Sequence, residues 1–222
     1  SEADSSVNFA AIDTDANGKL SVSELQVIFL VDGGESASGI NSPGGVWGQA
    51  TELLCDEDGD GSYEDVSGEH GVTLDNVRIL GKTSLGQNGY SQFGERQGSS
   101  STNTWDATIG VMAHELGHAY FLLPDLYDTR LSPTNAGIGA FGLMGSGVWG
   151  RKSSSEKSGA TPVHLSAWSK ENISACVPQT VDNGTDNLTL PAVYKNIDNA
   201  SSCGIYKATT STSGEYFLFE NR

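Results

Sequence analysis

The chain has 222 residues, and 12 Lys+Arg against 28 Asp+Glu give a formal net charge of −16. A chain of this length buries a sizeable core without disulfide staples, and its acidity excludes nucleic acid, whose phosphates need cationic partners. No apolar run approaches the ~18 to 20 residues that span a bilayer, so no membrane insertion is expected. The acidic opening Ser1-Glu2-Ala3-Asp4 is unlike a signal peptide, which predicts a mature secreted product or a trimmed chain.

The first element is a loop. Asp13, Asp15, Asn17, Gly18, Leu20 and Glu24 occupy positions 1, 3, 5, 6, 8 and 12 of an EF-hand loop. Alternate oxygens converge on one ion there, Gly18 makes the sharp turn, the Lys19 carbonyl serves position 7, and Glu24 binds in bidentate fashion. Calcium is expected. Residues 25–31, Leu-Gln-Val-Ile-Phe-Leu-Val, read as a buried strand rather than an EF-hand exit helix, so the site is structural and not a sensor. Residues 32–50 read as Gly-rich loop. Asp56, Asp58 and Asp60, with the Ser62 carbonyl, begin a second calcium-type loop that lacks a carboxylate at its twelfth position, Ser67. Residues 72–80 read as a strand and 81–101 as loop.

A helix is expected over residues 106–122, stopped by Pro124. It carries His114-Glu115-Leu116-Gly117-His118. Two histidines four apart stand on one helical face, so both imidazoles reach one metal. Zinc lowers the pKa of a bound water towards ~7, and Glu115 is placed to take that water's proton. The helical period gathers Ile109, Met112, Ala113, Leu116 and Tyr120 opposite the histidines, predicting a core-facing stripe on the other side. Two histidines leave zinc under-ligated. Asp125 and Asp128, just past the helix, are candidates for the third position, with Glu215 and Glu220 more remote alternatives. A fourth position left open for water would mark a catalytic site.

Residues 129–160 read as loop and 162–170 as a second helix, in which His164 is expected to be buried. Segments 188–191, 192–194, 204–208 and 215–219 read as strands. Of the three cysteines, Cys176 and Cys203 fall in this strand-rich third and are paired provisionally, which leaves Cys55 odd. A strand at the very terminus predicts that the native polypeptide continues past Arg222.

The helix, its Leu-Pro-Asp-Leu-Tyr-Asp tail and the segment Gly142-Leu-Met-Gly-Ser-Gly147 resemble the immune-inhibitor-A family of secreted bacterial zinc metallopeptidases, relatives of the metzincins. The resemblance extends to Phe93-Gly-Glu95 and to residues 13–35, 162–170 and 215–222. It implies His114, His118 and Asp125 as zinc ligands, Glu115 as general base, and Met144 in the methionine turn beneath the metal. The family pattern is H-E-x-x-H-x-x-G-x-x-D. This chain has Phe121 at the Gly position and one extra residue before Asp125.

The resulting expectation is an α+β, zincin-like peptidase domain spanning 1–222 and truncated at its C-terminus. It would be a monomer acting outside the cell on protein and peptide substrates, with zinc and calcium as cofactors. The competing expectations are a calcium-stabilised adhesion module with a vestigial metal site and, less favoured, a zinc amidase for small or cell-wall substrates.

Overall fold

A computed structural model describes residues 5–40, 45–53, 71–79, 89–130, 134–182, 184, 187–193 and 203–222. The second calcium-type loop (Asp56, Asp58, Asp60, Ser62) and Cys55 lie outside the described residues. Two compact units form, Ser1–Val163 and His164–Arg222. The single domain expected over 1–222 has no composition shift at that boundary.

The first unit is built on a four-stranded sheet. Strand β5 (Tyr90–Ser100) lies at its centre. Strand β1 (Val27–Gly34) runs parallel to it, and β2 (Gln49–Thr51) and β6 (Asn103–Asp106) pair with it antiparallel. The Gly/Ser-rich stretch 81–101, expected to be loop, thus supplies the longest strand of the described chain. Small residues are required there. A Cβ on Gly94 would meet the Glu35 backbone nitrogen at 2.6 Å, so composition tracks close backbone approach rather than irregularity.

Strand β1 matches the expected strand in place but not in burial. Ile28, Phe29 and Leu30 are exposed, because β1 occupies an edge of the sheet. A short hairpin, β3 (Val72–Leu74) with β4 (Val77–Ile79), replaces the single strand expected over 72–80. It closes a small separate core of Phe9, Leu20, Val77 and Ile79 beside the acidic loop.

Helix α1 covers Ile109–Ala119 and is shorter than expected. Residues 103–106 are strand, not helix. Its orientation also reverses the expectation from periodicity. Gly110, Val111, His114, Glu115, Gly117 and Ala119 are its buried residues, while Ile109 is 54% exposed. The face bearing the histidines is packed inward, with Val111 joined to Phe93 of β5 and to Val148. The predicted apolar stripe is only partly covered: Ile109 and Tyr120 are exposed, while Met112 packs against the cluster of Phe93, Val111 and Val148. Periodicity located a stripe correctly, but it does not say which side meets the rest of the unit.

In the second unit, helix α2 (Ala167–Asn172) starts five residues later than expected, capped by the Ser166 hydroxyl, which accepts from the Ser169 N–H. His164 is exposed, not buried. Strands β7 (Gln179–Val181), β8 (Tyr206–Thr209) and β9 (Tyr216–Phe219) form one sheet in that order. Residues 188–191 form no strand, and Ala192 makes only an isolated bridge to Asn221. Cys176 and Cys203 form a disulfide with Cα atoms 5.8 Å apart, in a core with Ala167 and Ile205.

Candidate metal centre

Three side chains converge at the end of α1. His114 Nε2 and His118 Nε2 are 3.1 Å apart. Asp125 Oδ1 lies 3.1 Å from the first and 3.3 Å from the second. Each imidazole also has an engaged Nδ1. That of His114 lies 2.9 Å from the Leu143 carbonyl, and that of His118 lies 2.6 Å from the Leu123 carbonyl. A carbonyl only accepts, so each Nδ1 carries a proton and each Nε2 of a neutral ring presents a lone pair inward. Asp125 Oδ1 is buried and has no partner of hydrogen-bonding geometry among the described residues. Two lone pairs and an orphaned carboxylate oxygen around one point fit a cation, and the donor set of two imidazoles and one carboxylate suits zinc.

The backbone explains how Asp125 arrives. Phe121, which stands at the pattern's Gly position, is not in the left-handed region; its neighbour Leu122 is, with φ of 56°. The Leu122 N–H bonds the His118 carbonyl at 3.0 Å, and that of Leu123 bonds the Gly117 carbonyl at 3.0 Å. The extra residue therefore moves the turn by one position. The three-residue step from turn to carboxylate is kept, and Phe121 needs no special conformation. Next, Leu126 donates to the Met144 carbonyl at 2.7 Å. Met144 is fully buried. A Cβ on Gly117 would lie 2.5 Å from its sulfur, so Gly117 admits the thioether against the helix between the two histidine turns.

Asp128 has another task. It accepts from Arg130 Nε at 2.7 Å and from the Thr134 N–H at 2.8 Å. The Arg130 guanidinium holds it well below the usual carboxylate range. It organises the turn and is not part of the convergent group. Glu220 is likewise engaged within its own unit, by the Ala167 N–H at 3.1 Å and by Arg222 Nε at 2.7 Å.

Electrostatics distinguish the carboxylates. Burial pushes Glu115 up, and His114 and His118 offset this only partly. A raised carboxyl holds a proton more readily than a free one, which suits proton transfer. Burial would raise Asp125, but hydrogen bonds and positive charge from His114 and His118, when those rings are protonated, hold its carboxyl below the usual carboxylate range. Tyr127 is pushed up to about 12 by burial and by Asp125, within hydrogen-bonding reach of its hydroxyl. Its ring stacks near His114 at 6.4 Å between centroids. It stands as a neutral phenol beside the triad.

Glu35 had no signal in the sequence as a site residue. It is fully buried, and its carboxylate accepts from the Ala37, Gly48 and Gly94 N–H groups at 3.0, 2.9 and 3.0 Å. It thereby fixes Gly48, the residue before β2, at the rim beside Glu115. The Gly48 and Gly94 partners are 13 and 59 residues distant in sequence, so no local pattern reveals them. A cavity of about 300 Å³, with Trp47, Val111, Val148 and Trp149 in its walls, opens beside His114 and Glu115. A second of about 520 Å³ opens over His118 and Asp125, against Gln49 and Ala50.

The acidic N-terminal loop brings oxygens of Asp13, Asp15 and Glu24 within 4.8 Å of one another. Gly18 turns with φ of 76°. Here the carboxylates are partnered. Asp13 accepts from Gly18 N–H at 2.9 Å and Asp15 from Asn17 N–H at 3.1 Å. Asn17 Oδ1 accepts from the Lys19 N–H at 2.8 Å. Glu24 accepts from the Ser21 N–H and hydroxyl and from Thr14, which lowers its pKa to about 2.

Among curated proteins, two relatives carry the description pre-pro-metalloprotease PrtV, from Vibrio cholerae serotype O1 strains M66-2 and ATCC 39315 / El Tor Inaba N16961. Each is 39% identical over 66 residues, which is 30% of this chain and 7% of the relative. The aligned segment is thus a small part of much longer proteins. No solved structure matches. Residues 72–176, which carry α1, Asp125 and the Met144 turn, match the catalytic domain of the immune inhibitor A peptidase M6 family, so the resemblance read from the sequence holds over that segment.

Proposed function

We propose that this chain carries the catalytic domain of a secreted zinc-dependent endopeptidase that hydrolyses extracellular proteins. The observation behind it is the convergence of His114 Nε2, His118 Nε2 and the orphaned Asp125 Oδ1 beside the buried carboxyl of Glu115. His114, His118 and Asp125 would hold zinc, which supplies Lewis acidity to the attacking water and the scissile carbonyl. Glu115 takes the proton of that water and returns it to the leaving amine. The Leu143 and Leu123 carbonyls keep both imidazoles in the ligating tautomer. Met144 fixes the floor, and Glu35 fixes the Gly48 rim, so the reacting groups need no rearrangement. The zincin-like arrangement and extracellular location rest on the family match and the metalloprotease relatives. No helix among the described residues is long and apolar enough to cross a membrane. The Cys176–Cys203 disulfide also suits an oxidising compartment.

Calcium is proposed at Asp13, Asp15, Asn17, the Lys19 carbonyl and Glu24, as a structural ion beside the small core of Phe9 and Leu20. The second loop at Asp56 is proposed from its sequence alone.

The test pairs elemental mass spectrometry with Glu115→Ala. Chelator-free protein is expected to hold about one zinc per chain and to cleave a denatured protein, and the variant to keep zinc and lose cleavage. A chain that refuses zinc, or an undiminished Glu115→Ala, would overturn the proposal.

A further inference from the structure

A third cavity, of about 480 Å³, lies outside the metal centre. It abuts the cavity beside Glu115, because Ala37 and Trp149 line both. Its other walls include Trp105, Arg151, Lys157 and Asn103. The charge is unusual for this molecule. Cations number 12 against 28 acidic residues, yet Arg151, Lys152 and Lys157 fall within seven positions. Neither Arg151 nor Lys157 has a carboxylate partner among the described residues. Lys157 Nζ stands 4.7 Å from the centre of the Trp105 ring. One carboxylate, Glu156, also borders the cavity. It is turned to the Lys152 N–H at 2.7 Å and the Thr161 hydroxyl at 2.8 Å, within its own loop.

Two cations without carboxylate partners among the described residues, in a cavity walled by Trp105 and Trp149 on an otherwise acidic protein, suit an anion attached to something flat or apolar. An arginine fork matches a carboxylate in bidentate fashion. Because Ala37 and Trp149 line both cavities, a substrate held at Glu115 can extend into this one. We propose that this cavity is a specificity subsite that takes a carboxylate of the peptide substrate. The proposal rests on the endopeptidase reading and adds a recognition element to it. The carboxylate comes from an Asp or Glu side chain or from a nearby free C-terminus.

The experiment uses neutral Gln-containing peptides through which a single Glu is walked position by position, each with a free and an amidated C-terminus. The wild type is compared with Arg151→Gln/Lys157→Gln, whose side chains are exposed and make no ion pairs among the described residues. At one position on one side of the cleaved bond, Glu is expected to raise kcat/KM on the order of tenfold over Gln, as a charge-assisted hydrogen bond supplies. The double variant should bring that ratio to about one. A preference for the free over the amidated end, lost in the double variant, would support the subsite and assign the C-terminal source. No carboxylate preference in the wild type, or one that survives the double substitution, would overturn it. Calorimetric binding of the same peptides to Glu115→Ala, with and without the two substitutions, separates the subsite from the chemistry. Tighter Glu-peptide binding that needs Arg151 and Lys157 supports the subsite even if nothing is cleaved, and equal binding of Glu and Gln peptides overturns it even if everything is.

Discussion

The chain gathers metal-type donors twice, and the two clusters are built in opposite ways. At residues 13–24 every donor comes from one turn of chain, and the carboxylates are satisfied by that turn's own N–H and hydroxyl groups. At His114, His118 and Asp125 the donors sit on a helix and the segment after it, held by the carbonyls of Leu143 and Leu123, and an oxygen is left orphaned. In the first cluster, hydrogen bonds within the loop already engage the carboxylates. In the second, with both rings neutral, Asp125 Oδ1 and the two Nε2 atoms are acceptors facing one another. A self-satisfied loop suits a structural ion, and an unsatisfied buried triad suits a catalytic one.

Breaking the chemistry at the second cluster should give the largest effect. Glu115→Ala is expected to lower kcat/KM by ~10²- to 10⁴-fold, in line with the loss of a general base, with zinc content unchanged by elemental analysis. Glu24→Ala should leave kcat within about twofold. If it abolished activity as fully, the two clusters would not be independent. Next, Asp125→Ala should abolish zinc retention through dialysis, whereas Asp128→Ala should retain zinc and lower only the melting temperature.

Glu35→Ala leaves three backbone N–H groups without an acceptor and should cost about 3 kcal/mol or more of stability, read by chemical denaturation. The loss should appear with zinc bound, which separates scaffold from metal effects. A smaller change is expected at the acidic loop. Glu24 has its pKa lowered from 4.5 to about 2 on folding. Its contribution is therefore present above pH 4.5 and is lost as pH falls from 4.5 towards 2. Calcium should lower the acid midpoint of unfolding measured by circular dichroism, and Glu24→Gln should remove that calcium dependence. The smallest effect is a gain. Leu122 holds a left-handed conformation that costs a side-chain-bearing residue ~1 kcal/mol. Leu122→Gly should raise Tm by about 2 °C and leave the zinc site in place. A fall in Tm would mean that the side chain contributes more than the strain.

Both clusters were visible as spacing in the sequence, because each rests on a local period. Oxygens at alternate positions around Gly18 make a loop, and histidines four apart share a helical face. Asp125 was reachable by the same logic, since a helix end and a proline limit where the chain can go. Local pattern misled where the same residues serve tertiary packing. The glycines and serines of 90–100 look like loop but form the central strand, in which neighbouring backbone comes too close to Gly94 and Gly98 for a Cβ. The apolar residues of β1 look like core but stand on a sheet edge.

What the sequence determined by itself was therefore the chemistry: which groups can ligate, which can take a proton, and at what spacing along the chain. Tertiary structure alone decided which face of α1 is buried, which carboxylate stays unpaired, that Leu122 rather than Phe121 makes the turn, and that Glu35 braces the rim. Those outcomes depend on partners tens of residues away, and a periodicity of two or 3.6 residues carries no information about contacts at that range.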